Sequence, residues 1–162
     1  MVYSRFNQDT NCVKARVSDV RSSFKKARET VRVLKNMTLP QAQTFLRDVL
    51  DHKRCVPMTR FATGTGRCAQ AKAWKTSRGR WPTKTCNILL KLLQNAEASA
   101  INKEVDVNTL VIDHIQANQA VKGRRRTYRA HGRVSPYQSN PCHLEVVLRS
   151  KADIVPAATD LQ

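Results

Sequence analysis

Acid is what this sequence has least of. The 162 residues carry 29 Lys and Arg against 12 Asp and Glu, a formal net charge of +17. Acids are missing altogether from two stretches, one between Asp51 and Glu97 and one from His114 to Leu144. Metal-assisted phosphodiester hydrolysis needs clustered carboxylates, so neither stretch can host it. Other absences narrow the field. No run approaches the roughly 18 apolar residues of a spanning helix, and no lipidation motif stands at either end, so no membrane insertion is expected. Met1 to Asn7 has no apolar stretch of signal-peptide kind, and retention inside the cell is the expectation. Cys12, Cys55, Cys68, Cys86 and Cys142 form no Cys-x-x-Cys, and reduced thiols are expected. Cys142 and His143 adjoin, yet neighbours on a strand point to opposite faces, which suits a shared metal badly. No metal and no cofactor are expected. Gly64-Thr65-Gly66 is followed by no Gly-Lys-Ser/Thr, and Gly-x-Ser-x-Gly and His-Glu-x-x-His are absent. Asp113 is a lone acid in a strand, and no spacing links His114 to His131 as acid and base. An enzyme, for example a small basic nuclease, is not expected.

What is present is a basic chain long enough for one domain with a modest core. The charge excess says little about fold and much about partners: it calls for phosphate or an anionic surface. Two strands stand out. Leu110 to Ala117 is apolar and β-branched. Cys142, Leu144, Val146 and Leu148 alternate with His143, Glu145, Val147 and Arg149, the period of a strand with one buried face. Between them runs a basic connection from Val121 to Tyr137. Its cations are interleaved with Tyr128, His131 and Tyr137, which can stack on bases, and with Gly123 and Gly132, which allow close backbone approach. A structureless loop of roughly 20 residues inside a compact domain is uncommon unless functional. If the strands continue outward, about 12 residues per arm extend about 40 Å. So charged a ribbon has no core of its own and is expected to need a polyanion to order it.

The rest of the chain supplies a platform. Residues 1 to 11 are polar, extended or loosely ordered. Cys12 to Val17 is a candidate third strand beside the hairpin base. Ser23 is a plausible N-cap before a helix whose Phe24, Ala27, Val31 and Leu34 form one stripe, and Asn36 fits the left-handed position that ends it. Lys25, Arg28, Arg32 and Lys35 lie off that stripe and suit solvent or RNA equally. Thr38-Leu39-Pro40-Gln41 is a capping box opening a second helix, with Ala42, Phe45, Leu46, Val49 and Leu50 as its stripe. Residues 55 to 84 lack any period and read as a loop packed on RNA, with Arg60, Arg67, Lys72, Arg78 and Arg80 as candidate contacts. Trp74 and Trp81 serve there as packing anchors or base-stacking platforms, packing being preferred. A third helix starts at Pro82 or Thr83 and runs to about Asn102, lined by Cys86, Leu89, Leu90, Leu93, Ala96 and Ala100. Residues 151 to 162 are expected to form a mobile tail. The fold class is α+β: three helices on a small three-stranded antiparallel sheet, with a long extended hairpin. A single domain is expected over 1–162, its globular part about 12–117 and 142–150 and its hairpin about 107–150.

Arg124-Arg125-Arg126-Thr127-Tyr128-Arg129-Ala130-His131-Gly132-Arg133, followed by Ser139-Asn140-Pro141-Cys142-His143-Leu144-Glu145, closely resembles the universal large-subunit ribosomal protein twenty-two family, whose eukaryotic cytosolic form is numbered seventeen. Gly66 to Lys72 and Gly79-Arg80-Trp81-Pro82 resemble the insertion separating its eukaryotic and archaeal members from the shorter bacterial form. The resemblance covers about residues 3 to 156. It implies a structural constituent of the large subunit whose hairpin threads through rRNA and whose tip lines the nascent-peptide exit tunnel. On that reading Lys122, Arg124, Arg125, Arg126, Tyr128, Arg129 and Arg133 bind rRNA. Arg129, Ala130, His131, Gly132, Arg133 and Val134 line the tunnel. The implied partners are large-subunit rRNA including the 5.8S strand, neighbouring ribosomal proteins, the nascent polypeptide and nascent-chain factors at the tunnel exit. The implied location is the cytoplasmic ribosome, after assembly in the nucleolus. A free-standing basic RNA-binding regulator or chaperone is the alternative.

Overall fold

The computed structural model describes residues 3, 4 and 12–150; most of the N-terminal stretch and the tail from 151 onward lie outside the described residues. Strand β1 (Cys12–Val20) is followed by α1 (Phe24–Leu34) and α2 (Leu39–Leu50). The short strands β2 (Val56–Pro57) and β3 (Gly79–Arg80) then flank a 3₁₀ turn at Ala69–Trp74. Helix α3 (Thr83–Ile101) leads to β4 (Leu110–Gln119), β5 (Gly123–Tyr128), β6 (Val134–Ser139) and β7 (Cys142–Ser150). The fold is α+β, with a main antiparallel sheet ordered β1-β7-β4.

The apolar stripes meet on one side of that sheet. α1 packs on β4, α3 on β1, and α2 on α3. Phe45, Leu34, Leu39, Leu46, Leu89, Leu93, Leu110, Ile112, Leu144 and Leu148 are fully buried between these layers. The third-strand candidate thus takes its place beside the hairpin base, and it runs three residues further than its alternation indicated. Gln41 Oε1 accepts from the Thr38 backbone N–H at 3.4 Å, completing the capping box of α2. Ser23 occupies the N-cap of α1, but its side chain makes no cap bond. Asn36 adopts φ +66° just past α1, and the turn it makes is reused by the sheet. Asn36 N–H donates to the Ile112 carbonyl at 3.0 Å, and Ile112 N–H to that of Met37 at 2.9 Å. The link between the helices therefore covers the outer edge of β4 at Val111 and Ile112, which would otherwise offer unpaired backbone groups there.

Two features depart from the sequence expectation. In β7 the outward residues are not all solvated: Glu145 and Val147 are as buried as their inward neighbours. β7 is the middle strand, flanked on both sides, and Ser4 lies over the far face, where its backbone N–H donates to Glu145 Oε2 at 3.3 Å and its hydroxyl also reaches the carboxylate. The insertion, read as an aperiodic loop, has its own scaffold. Val56 pairs with Arg80 and Pro57 with Gly79, and Met58 N–H donates to the Arg78 carbonyl at 3.0 Å. Trp74 meets Phe45 edge-on at 5.8 Å, while Trp81 stacks on His52 at 5.2 Å and donates from Nε1 to Gln70 at 3.1 Å. Both tryptophans act as packing anchors.

Candidate nucleic-acid interface

The basic connection forms a ribbon. β5 and β6 pair from Gly123↔Ser139 outward to Tyr128↔Val134. The ribbon joins the main sheet through a short break, bridged where Ala120 N–H donates to the Pro141 carbonyl at 3.1 Å. The backbone ladder thus continues from the main sheet towards the tip. Among the described residues no helix or second sheet backs it, however: Tyr128 is 78% and Tyr137 58% exposed. Two strands without a covering layer are marginal in water.

Register distributes the charge. Residues directly opposite one another share a face of an antiparallel pair. Arg124, Arg126 and Tyr128 therefore share one face with Gln138, Pro136 and Val134. Arg125 and Thr127 share the other with Tyr137 and Ser135, and the Arg125 guanidinium lies 5.0 Å from the Tyr137 ring centroid. Three consecutive arginines thus arm both faces of the ribbon. Lys122, Arg124, Arg125, Arg126, Arg129 and Arg133 are all exposed, and among the described residues none forms an ion pair with a carboxylate.

At the tip, Arg133 N–H donates to the Ala130 carbonyl at 3.4 Å and Arg129 N–H to that of Arg133 at 2.7 Å. His131 at φ +60° and Gly132 at φ +66° occupy the two central positions. Positive φ at both is the type I′ turn, whose twist matches the strands it joins. Gly132 supplies the left-handed residue that a turn here calls for. His131 is the second one, and a polar side chain of its kind tolerates that region better than most. A Cβ added at Gly132 would meet nothing within 4 Å, and residues 129–134 are all exposed.

The other candidate contacts divide into separate groups. Arg67 and Lys72 line one open groove of about 470 Å³, joined there by Lys75. Arg78 donates to the Ala62 carbonyl at 3.0 Å and Arg80 to that of Gly64 at 2.8 Å. Those two guanidinium groups brace the glycine loop as well as carrying charge. Arg60 lies 5.8 Å from the ring centroid of Phe61. Behind this loop stands a residue that the sequence reading missed. Glu29, in α1, is 1% exposed and accepts from the Arg60 N–H at 2.9 Å, the Phe61 N–H at 3.0 Å and the Thr59 hydroxyl at 3.0 Å. Arg28 adds a contact at 3.2 Å. Burial pushes the carboxyl upward, but the Phe61 amide, the Thr59 hydroxyl, the Arg28 charge and the Arg60 amide outweigh it and hold Glu29 below its ordinary value. The available signal was its isolation, as the one acid between Asp19 and Asp48.

The buried Cys55 and Cys86 thiols are quiet. Burial pushes Cys86 up to about 12, and burial together with neighbouring Cys68 takes Cys55 to about 11. Among the described residues no three His, Cys, Asp or Glu side chains gather as a metal ion would require. No described helix is long and apolar enough to cross a membrane.

Comparison with known proteins gives one consistent result. The family model described as ribosomal protein L22p/L17e matches residues 15–149. The large ribosomal subunit protein uL22 of Anopheles gambiae is 55% identical over 154 residues, spanning 95% of this chain and 82% of that protein. The uL22 proteins of Drosophila melanogaster and Caenorhabditis elegans are each 52% identical over 159 residues, spanning 98% of this chain and 86% and 85% of theirs.

Proposed function

The chain belongs to the ribosomal protein L22p/L17e family, and on that premise we propose that it is a structural, non-catalytic constituent of the cytoplasmic large subunit whose hairpin is held by rRNA on both sides. The observation that carries this is the split of Arg124 and Arg126 from Arg125 onto opposite faces of one exposed ribbon. A protein lying on a flat RNA surface needs cations on one face only. A ribbon charged on both suits a channel walled by phosphate, where each contact releases counterions. Lys122 and Arg124 to Arg126 form the shaft, with Tyr128, Arg129 and Arg133 continuing it. Arg60, Arg67, Lys72, Arg78 and Arg80 add rRNA contacts from the insertion.

The tip is assigned to the exit tunnel on the family premise and on its shape. Arg129, Ala130, His131, Gly132, Arg133 and Val134 make a narrow turn that is exposed throughout, as a surface facing an aqueous passage and a nascent polypeptide would be. The remaining partners are neighbouring ribosomal proteins, the 5.8S strand and the nascent-chain factors that dock at the tunnel exit. Assembly would begin in the nucleolus. One domain over 1–162 fits this role, the sheet and helices acting as the head of the hairpin.

Sedimentation tests the reading. The tagged chain, expressed in eukaryotic cells, should stay on large subunits through a high-salt sucrose gradient. Release to the top of the gradient by salt that leaves other subunit proteins in place would favour the free-standing RNA-binding regulator or chaperone.

A further inference from the structure

A cleft opens where the hairpin leaves the sheet. It has a volume of about 450 Å³ and is lined by Phe24, Phe61, Lys25, Lys122, Gln119 and Asn140, among others, within the range of small-ligand sites. Part of its lining is aromatic: Phe24 and Phe61 meet edge to face at 6.2 Å and 72°, both only half-buried. Lys25 Nζ lies 5.9 Å from the Phe61 centroid. Gln119 and Asn140, both exposed, present side-chain amides from the last residue of β4 and from the turn before β7. A second recess of about 380 Å³ adjoins it through Ser23, Asn140 and Pro141, and adds Arg21 and Lys84. Among the described residues no carboxylate lines either space.

We propose that this cleft captures one unpaired, extruded nucleotide of RNA, its base against Phe24 and Phe61 and its flanking phosphates on Lys25 and Lys122 on one side and on Arg21 and Lys84 on the other. The inference rests on the RNA-binding reading of the hairpin and adds a site at its root. Three observations converge. Aromatic rings left half open are the platforms on which splayed-out bases stack. A side-chain amide offers a donor and an acceptor together, matching the Watson–Crick edge of a base. Cations line the cleft and the adjoining recess, available to a backbone entering and leaving, and the cleft is continuous with the charged shaft through Lys122. The Phe61 platform is held from behind, since the buried Glu29 carboxylate fixes the backbone of Arg60 and Phe61.

The test uses the full-length chain and two labelled probes. One is a single-stranded RNA of about a dozen nucleotides, the other an abasic ribose-phosphate strand of the same length, each titrated by fluorescence anisotropy at fixed salt. Phe61→Ala should weaken RNA binding roughly tenfold and leave the abasic strand unaffected. Asn140→Ala, at an exposed position that the fold tolerates, should give a smaller loss that varies with base identity, and it keeps the test decisive should Phe61→Ala unfold. Equal loss on both probes, or no loss on either, overturns the capture of a base. A glutamate-rich peptide whose binding Phe61→Ala abolishes, with RNA affinity unchanged, would assign the cleft to a protein partner and overturn it too. If the unmodified chain binds neither strand, the RNA-binding reading itself fails.

Discussion

Replacing Glu29 with Gln separates the charge of a buried carboxylate from its shape. Gln keeps one carbonyl oxygen for the Arg60 and Phe61 amides, which both reach Oε1, but it removes the negative charge. Hydrogen bonds to a charged acceptor contribute about 1.5–3 kcal/mol and neutral ones about 0.5–1.5 kcal/mol, so these two bonds lose about 1 kcal/mol each. The Arg28 contact, with that side chain 31% exposed, adds only a small screened amount. A neutral amide is easier to desolvate, which offsets part of the loss. The net expectation is about 2 kcal/mol, a Tm lower by about 4–8 °C for a chain of this size. Glu29→Ala should cost more, since two buried amides then lack an acceptor at about 1–3 kcal/mol each. The pH dependence follows from the direction of the shift. The folded carboxyl is held below its ordinary 4.5, so its contribution is complete above that value and lost as pH falls through the lower folded value. Thermal unfolding by near-ultraviolet circular dichroism should show unmodified chain and Gln variant furthest apart around neutral pH and converging in acid. A difference that stays constant down to about pH 3 would refute the argument, because packing rather than charge would then tie the loop to α1.

In amide hydrogen exchange on the free protein, residues 110–119 and 142–150 should be protected and 123–139 should exchange fast; uniform protection through Arg133 would show that the ribbon is stable without RNA. Gly132→Trp meets open space and costs only about 1–2 kcal/mol for the left-handed backbone, so it should enter subunits nearly normally yet alter stalling by tunnel-sensitive nascent peptides. Replacing Arg124, Arg125 and Arg126 with Ser should impair assembly first and flatten the salt dependence of RNA binding; the reverse pattern would exchange the roles of tip and shaft. Iodoacetamide at about pH 8 should label half-exposed Cys68 well before buried Cys55, Cys86 and Cys142, because thiols pushed above their ordinary value stay protonated there; equally fast labelling would mean that the core opens locally.

The elements legible in the sequence were those long enough to repeat. Phe24, Ala27, Val31 and Leu34 announced α1, and the alternation from Cys142 to Leu148 announced β7. Strands of two residues, such as Val56–Pro57, have no period, so the insertion's scaffold stayed hidden until Gly79 and Arg80 were placed opposite them. The charge of the interface was equally plain, but its partition was not. That Arg125 shares a face with Tyr137 depends on a register fixed by the turn, and the turn depends on a histidine at φ +60°. Glu29 and Glu145 look like surface acids in the sequence. Their partners, Phe61 and Ser4, lie 32 and 141 positions away, beyond any local pattern.

The pairing of β4 and β7 also decides how the molecule would carry a mechanical load. A pull along the hairpin enters the domain where Ala120 bonds to Pro141 and draws the adjoining ends of β4 and β7 in the same direction. β7 must then slide along β1, against a ladder running from Cys12↔Arg149 to Val20↔Cys142. β4 must slide past the Asn36 and Met37 backbone as well. Both contacts are loaded in shear, so their hydrogen bonds resist together instead of opening one after another like a zip. A ribbon rooted this way can be pulled at its far end without peeling from its own domain.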